Sequence, residues 1–222
     1  VANTGFTFSG WTGDGVVDAS RSITTALMTE NRTITASFSQ NIYSLSFVAP
    51  SGGSLLGEGS FAHGFDAKIS AVPDEGYSFN GWKGEGISDI NSSSTTVAMT
   101  SNRTISASFV QNNYQLQLSA GHGGSVSGSG NYFHGETAHI TATALPGYTF
   151  VEWTGIGVAD SNLSSTTVFM DGVRSLSATF KIKKYRLEVL ADNNGSTSGT
   201  GTYDHGSLVP VNAIPAYGYV FN

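Results

Sequence analysis

Several side chains that could bind or react recur at one fixed spacing along this 222-residue chain. Trp11, Trp82 and Trp153 stand 71 residues apart, in GFTFSGW from Gly5, GYSFNGW from Gly76 and GYTFVEW from Gly147, and a fourth copy begins at Gly218. Flat aromatic faces suit the apolar face of a sugar ring, so Tyr77, Trp82, Tyr148 and Trp153 are the candidate binding residues for a glycan or a protein surface. The competing reading makes the same rings core. A buried aromatic contributes about 150–250 Å², and a unit of this size holds few other large residues with which to fill its centre. Core is the preferred reading.

The other recurrent groups carry weaker chemistry. His63, His134 and His205 recur ahead of a glycine, but no recurrent carboxylate stands at ligand spacing beside them. A turn residue whose ring bonds the backbone before a positive-φ glycine accounts for them. His122, His139 and Glu136 could add a zinc site to one copy only, which is the lesser reading. Asp18, Asp89 and Asp160 lack the D-x-[DN]-x-[DN]-G spacing of a calcium loop and fit an Asx turn. The pairs Gly13/Gly15, Gly84/Gly86 and Gly155/Gly157 lack the third glycine and following helix of a nucleotide fingerprint. Arg32, Arg103 and Arg174 suit coverage of an apolar face or a pair with the recurrent Asp. No Ser, His and acid trio is marked out, and no lysine recurs to support an isopeptide bond in each copy. The expectation is no catalytic residue, no metal ligand and no cofactor.

Composition narrows the classes further. With no cysteine, disulfides and thiolate chemistry are excluded, while the redox compartment stays open. Ten basic against sixteen acidic residues argue against nucleic acid or an anionic membrane as partner. No run of 18 apolar residues exists, and Val1 opens directly into repeat sequence, so neither membrane insertion nor a signal peptide is expected.

The elements that must position these residues read as short strands. Tyr114, Leu116 and Leu118 alternate with Gln115 and Gln117, as do Tyr43/Leu45/Phe47 and Tyr185/Leu187/Val189 in their copies. Gly123 and Gly124 precede a run with Val126 inward, and the first two strands read as a hairpin. Ala138, Ile140 and Ala142 make a third strand. The segments 166–170 and 174–180 read as a second hairpin across the turn Asp171-Gly172-Val173. No helical stripe interrupts them, so the predicted fold is all-β or β-grasp-like, a tandem array of small 71-residue β-modules forming an extended rod.

The predicted boundaries are a partial repeat at 1–38, full repeats at 43–109 and 114–180, and a second partial repeat at 185–222. The linkers 39–42, 110–113 and 181–184 contain neither Gly nor Pro, which favours semi-rigid connection. Both ends fall inside a repeat. Two expectations compete there: a folding unit of different phase that starts near the Gly-aromatic motif, or end-to-end pairing with another chain.

The pattern Tyr114-x-Leu116, Gly123 to Gly130, Tyr132-x-His134-Gly135, Ala138-x-Ile140-x-Ala142, Gly147 to Gly155, Ser165 to Met170 and Arg174 to Phe180 resembles the divergent internalin-type B repeats of bacterial surface and secreted proteins. The resemblance covers essentially the whole chain. Departures are Phe6 in place of Tyr, Val173 in place of Asn31 and Asn102, and Glu152 in place of Gly10 and Gly81. It implies a non-catalytic β-rich module at the bacterial cell surface or outside the cell, with neighbouring repeats of the same chain as its first partners. Two functions follow as expectations, a structural spacer such as an adhesin stalk or a multivalent rod that binds glycan or protein weakly at each copy, with an end-to-end filament-forming repeat as a further alternative. Which way Trp82 and Trp153 face discriminates between them.

Overall fold

A computed structural model describes residues 1–221, in which no helix occurs. The chain divides into two compact units, Val1–Asn112 and Asn113–Asn222. Each unit holds one full copy of the repeat and one half copy. In the first, the half copy contributes β1 (Phe6–Thr12) and β2 (Thr35–Gln40). The full copy follows as β3 (Ile42–Phe47), β4 (Gly53–Leu56), β5 (Gly59–Ala62), β6 (Phe65–Pro73), β7 (Tyr77–Lys83), β8 (Ser94–Met99) and β9 (Arg103–Gln111). The second unit opens with its full copy: β10 (Asn113–Ala120), β11 (Gly124–Ser127), β12 (Gly130–Phe133), β13 (Glu136–Ala144), β14 (Tyr148–Thr154), β15 (Ser165–Met170) and β16 (Arg174–Ile182). Its half copy supplies β17 (Lys184–Leu187), β18 (Gly195–Ser198), β19 (Gly201–Asp204) and β20 (Asn212–Pro215).

Each full copy is two sheets over one core. In the second unit the orders are β12-β10-β16-β14 and β11-β13-β15; in the first they are β5-β3-β9-β7 and β4-β6-β8. The alternation legible in the sequence sets the inner faces. Leu116, Trp153, Leu176 and Ala178 from the larger sheet meet Ala138, Ile140, Val168 and Met170 from the smaller one. Leu45, Trp82 and Ile105 meet Ala67, Ile69, Val97 and Met99 in the same way. No charged or polar residue is buried among the described residues, so packing alone holds these cores.

Strand pairing departs from the two expected hairpins. β10 pairs with β12, whereas β11 pairs with β13. β15 and β16, joined across Asp171–Val173, also lie in different sheets: β15 pairs with β13, and β16 lies between β10 and β14. The physical reason is that the chain steps from sheet to sheet at these turns, so that consecutive strands lay their apolar faces on one core from opposite sides. The first and last strands of each full copy pair parallel, β3 with β9 and β10 with β16; every other strand pair is antiparallel.

Only Asn41 separates β2 from β3, and only Lys183 separates β16 from β17, so the stretches read as four-residue linkers are mostly strand. Among the described residues no helix is long and apolar enough to cross a membrane.

Candidate functional site

The repeated aromatic motif is built around a β-bulge. Along β7, alternation from Phe79 carries residue 81 to the inner face and leaves residue 82 outside. The register against β9 slips between Phe79 and Gly81, and the extra residue turns Trp82 inward instead. Gly81 serves the bulge with φ of 132°. The same slip occurs between Phe8 and Gly10 in β1, and between Phe150 and Glu152 in β14. The spacing F-x-x-W is therefore a bulge signature.

Trp82 is 5% exposed and Trp153 2% exposed. Phe79 tilts against Trp82 with ring centroids 5.6 Å apart, and Phe150 lies 6.0 Å from Trp153. Each indole N–H reaches the backbone of the following loop, donating to the carbonyl oxygens of Ser92 (2.9 Å) and Leu163 (3.1 Å). An apolar body in the core and a satisfied N–H at its edge is the arrangement a buried tryptophan requires. Tyr77 and Tyr148 are half-buried. A Cβ on Gly52 would overlap the ring of Tyr77, and one on Gly123 that of Tyr148. The Tyr148 hydroxyl also lies 2.8 Å from His122 Nε2. The four candidate binding residues thus contribute to packing rather than to a continuous exposed aromatic face.

The loop that follows each tryptophan is fixed by the recurrent Asp. Asp89 accepts the amide N–H of Asn91 at 2.9 Å, while its own N–H donates to Thr95 Oγ1 at 3.0 Å. Asp160 repeats both bonds with Asn162 and Thr166, and Asp18 with Ser20 and Thr24. This is the Asx turn expected from the sequence. The Ser20 hydroxyl and amide hold the Asp18 carboxyl below its ordinary value. In the first full copy the loop also covers two sheet edges: the backbone N–H of Trp82 donates to Ile90 O, and that of Ser88 to Thr96 O.

The recurrent arginines do not pair with this Asp. Arg103 reaches Glu85 at 2.7 Å and Thr100 at 2.9 Å, Arg32 reaches Glu30 at 3.1 Å, and Arg174 bonds Asp171. Acids in the local turns are simply closer than the Asx turn. The second glycine of each GxG pair lies next to one of these arginines: a Cβ on Gly15 would fall 2.9 Å from Arg32 Nε.

Two of the recurrent histidines, His63 and His205, sit where one copy meets the next within a unit. The ring of His63, in the full copy, rests against Gly5 of the preceding half copy, whose φ of +82° only glycine adopts readily, and a Cβ there would overlap the ring. Three bonds knit the same place: Asn41 N–H to Gly5 O at 2.8 Å, His63 N–H to Asn41 O at 2.8 Å, and Gln40 Nε2 to His63 O at 2.9 Å. In the second unit His205 rests on Gly147, Lys183 N–H donates to Gly147 O at 2.7 Å, and His205 N–H to Lys183 O at 2.8 Å. The turn expected before Gly64 is present, but Nδ1 of His63 is buried without a partner, so the ring does not bond the backbone as expected. Recurrence in the sequence marks this residue. Its contact lies across the repeat boundary, which single-copy reasoning missed; the equally recurrent glycine ahead of the aromatic motif was the available signal.

His122 and His139 do not converge: His122 meets Tyr148, whereas His139 is exposed opposite Thr167 on β15. No group of three or more potential metal-ligating side chains occurs among the described residues.

The family model described as the divergent InlB B-repeat domain matches four times in tandem, over residues 1–42, 43–113, 114–184 and 185–222. The chain belongs to this family. The second, third and fourth matches begin at Tyr43, Tyr114 and Tyr185, the tyrosine of each Tyr-x-Leu pattern, and each full B-repeat carries one buried tryptophan. No curated protein matches the chain.

Proposed function

We propose that these B-repeats form a non-catalytic structural spacer, such as the stalk of an adhesin, in a bacterial cell-surface or secreted protein. The observation that carries this reading is the enclosure of Trp82 and Trp153. A platform that binds at every copy needs the recurrent rings facing solvent, and these face the core. The family supports the surface or secreted setting, and the junction at Gly5 and Gly147 supports stiffness, since ring packing and backbone hydrogen bonds leave little free chain between copies.

Small-angle scattering on chains carrying increasing numbers of copies tests the spacer. The expected result is a maximum dimension that grows by a constant increment per repeat. Collapse to a dimension independent of repeat number contradicts it. A glycan array probed with the intact chain is expected to stay silent, and specific binding at the level of single repeats overturns the spacer in favour of the binding rod.

A further inference from the structure

In each full repeat the first strand and the last strand are neighbours, and they run parallel. β10 pairs with β16 from Leu116↔Arg174 to Ala120↔Ala178, and the Gly121 N–H extends the ladder to Ala178 O at 2.8 Å. The chain enters β10 at Asn113, three residues before the pairing starts, and leaves β16 at Ile182, four residues after it ends. Entry and exit therefore lie at opposite ends of one parallel pair, separated along the strands by roughly 35 Å at about 3.3 Å per residue. Tension on the chain pulls these two strands past each other. Every hydrogen bond of the pair is then loaded at once, in shear, rather than one after another.

We propose that each full B-repeat is a tension-bearing clamp, in which the parallel pairing of its first and last strands resists force along the tandem chain. Three features fit this role. Both clamp strands are interior to their sheet, with β12 and β14 on the flanks, so neither has an open edge to water. Their inner face is sealed, since Leu116, Leu176 and Ala178 are at most 2% exposed. On the outer face, the Ser119 hydroxyl donates to Leu176 O at 3.3 Å across the pair. The first full repeat carries the same device in shorter form, with β3 and β9 in register only from Leu45↔Arg103 to Phe47↔Ile105. It is the weaker clamp of the two.

The proposal takes the source of the tension from the spacer reading; the shear geometry stands independently of it. The test is single-molecule force spectroscopy on the full chain, which has no cysteine to interfere with engineered attachment. Pulled from its ends, the chain is expected to show two unfolding peaks, each releasing on the order of 230 Å of contour, with the repeat holding the five-pair clamp yielding last. Attachment at Ala120→Cys and Thr179→Cys places both handles at the same end of the pair, so that force peels it bond by bond. Both positions are exposed. The peak for that repeat is expected to fall at least ~2-fold, because the bonds, each worth only about 1 kcal/mol net, then fail singly. Equal force in both directions, or end-to-end extension without peaks, overturns the clamp and leaves the spacer standing. Ligand binding by the repeats overturns the spacer and leaves the clamp untouched.

Discussion

Residues 1–42 and the full repeat that follows carry the same second-half sequence pattern, yet only one of them has a core. Trp11 sits on the same bulge as Trp82, donates its indole N–H to Arg21 O at 2.9 Å, and lies 5.6 Å from Phe8. It nevertheless stays half-exposed. Met28 is 66% exposed where its counterparts Met99 and Met170 are fully buried. At the other end Val211 is 54% exposed where Ile140 is fully buried. Bulge, Asx turn and indole hydrogen bond thus form from local sequence, whereas burial needs both halves. The first strand of the full copy, β3 or β10, and the smaller sheet close the lid on the tryptophan. Hydrophobic stabilisation is cooperative across the repeat, and each half alone presents an apolar face without a partner.

Substitutions sharpen that contrast. The largest effect is expected for Trp153→Ala, at about 3–5 kcal/mol, enough to unfold its repeat, against about 1 kcal/mol for Trp11→Ala. Calorimetric unfolding of the two variants measures the difference, and equal losses would break the comparison. Met99→Ala is next, at about 2–5 kcal/mol, while Met28→Ala is expected to stay within about 0.5 kcal/mol; denaturant midpoints read both. Gly147→Ala forces a side chain into a left-handed position and against the His205 ring, at a cost of about 1–3 kcal/mol. Its signature is faster amide exchange at Lys183 and His205, with Trp153 still protected.

Thr95→Val removes the acceptor of the Asp89 N–H and is expected to cost about 0.5–1.5 kcal/mol, seen as loosening of residues 84–93 by amide exchange. The smallest effect concerns pH. A carboxyl whose folded value is lowered contributes stability at pH above its unfolded value, and that contribution is lost as pH falls through the folded value. Asp18 follows this pattern because the Ser20 hydroxyl, and then the Ser20 amide, bond its carboxylate. A carbon-13 titration is expected to place Asp18 below the ordinary aspartate value, and Ser20→Ala to move it up.

Much of this was legible in the sequence, and each miss has its own physical cause. The 71-residue period follows from recurrence, the strand faces at Leu116 and Ile140 from alternation, and the core reading of Trp153 from size alone, since alternation by itself would leave it outside. Alternation reports which face of a strand is buried, not which strand lies beside it, so the pairing of β10 with β12 and β16 was hidden behind two apparent hairpins. Recurrence likewise reports that His63 and His205 matter in every copy, not that each touches a glycine of the copy before. The arginine partners escaped for a third reason: Glu30, Glu85 and Asp171 sit in turns whose acids differ from copy to copy, so no recurrent pair exists to read.

Hydrogen exchange of the three indole N–H groups, followed by NMR on the intact chain, tests the central claim most directly. If the recurrent motif is the core of a module that only two halves complete, the Trp82 and Trp153 protons exchange slowly and the Trp11 proton exchanges fast, although all three make the same hydrogen bond. Equally fast exchange at all three would mean that the tryptophans face solvent, and the account of an enclosed core and a passive spacer would be wrong.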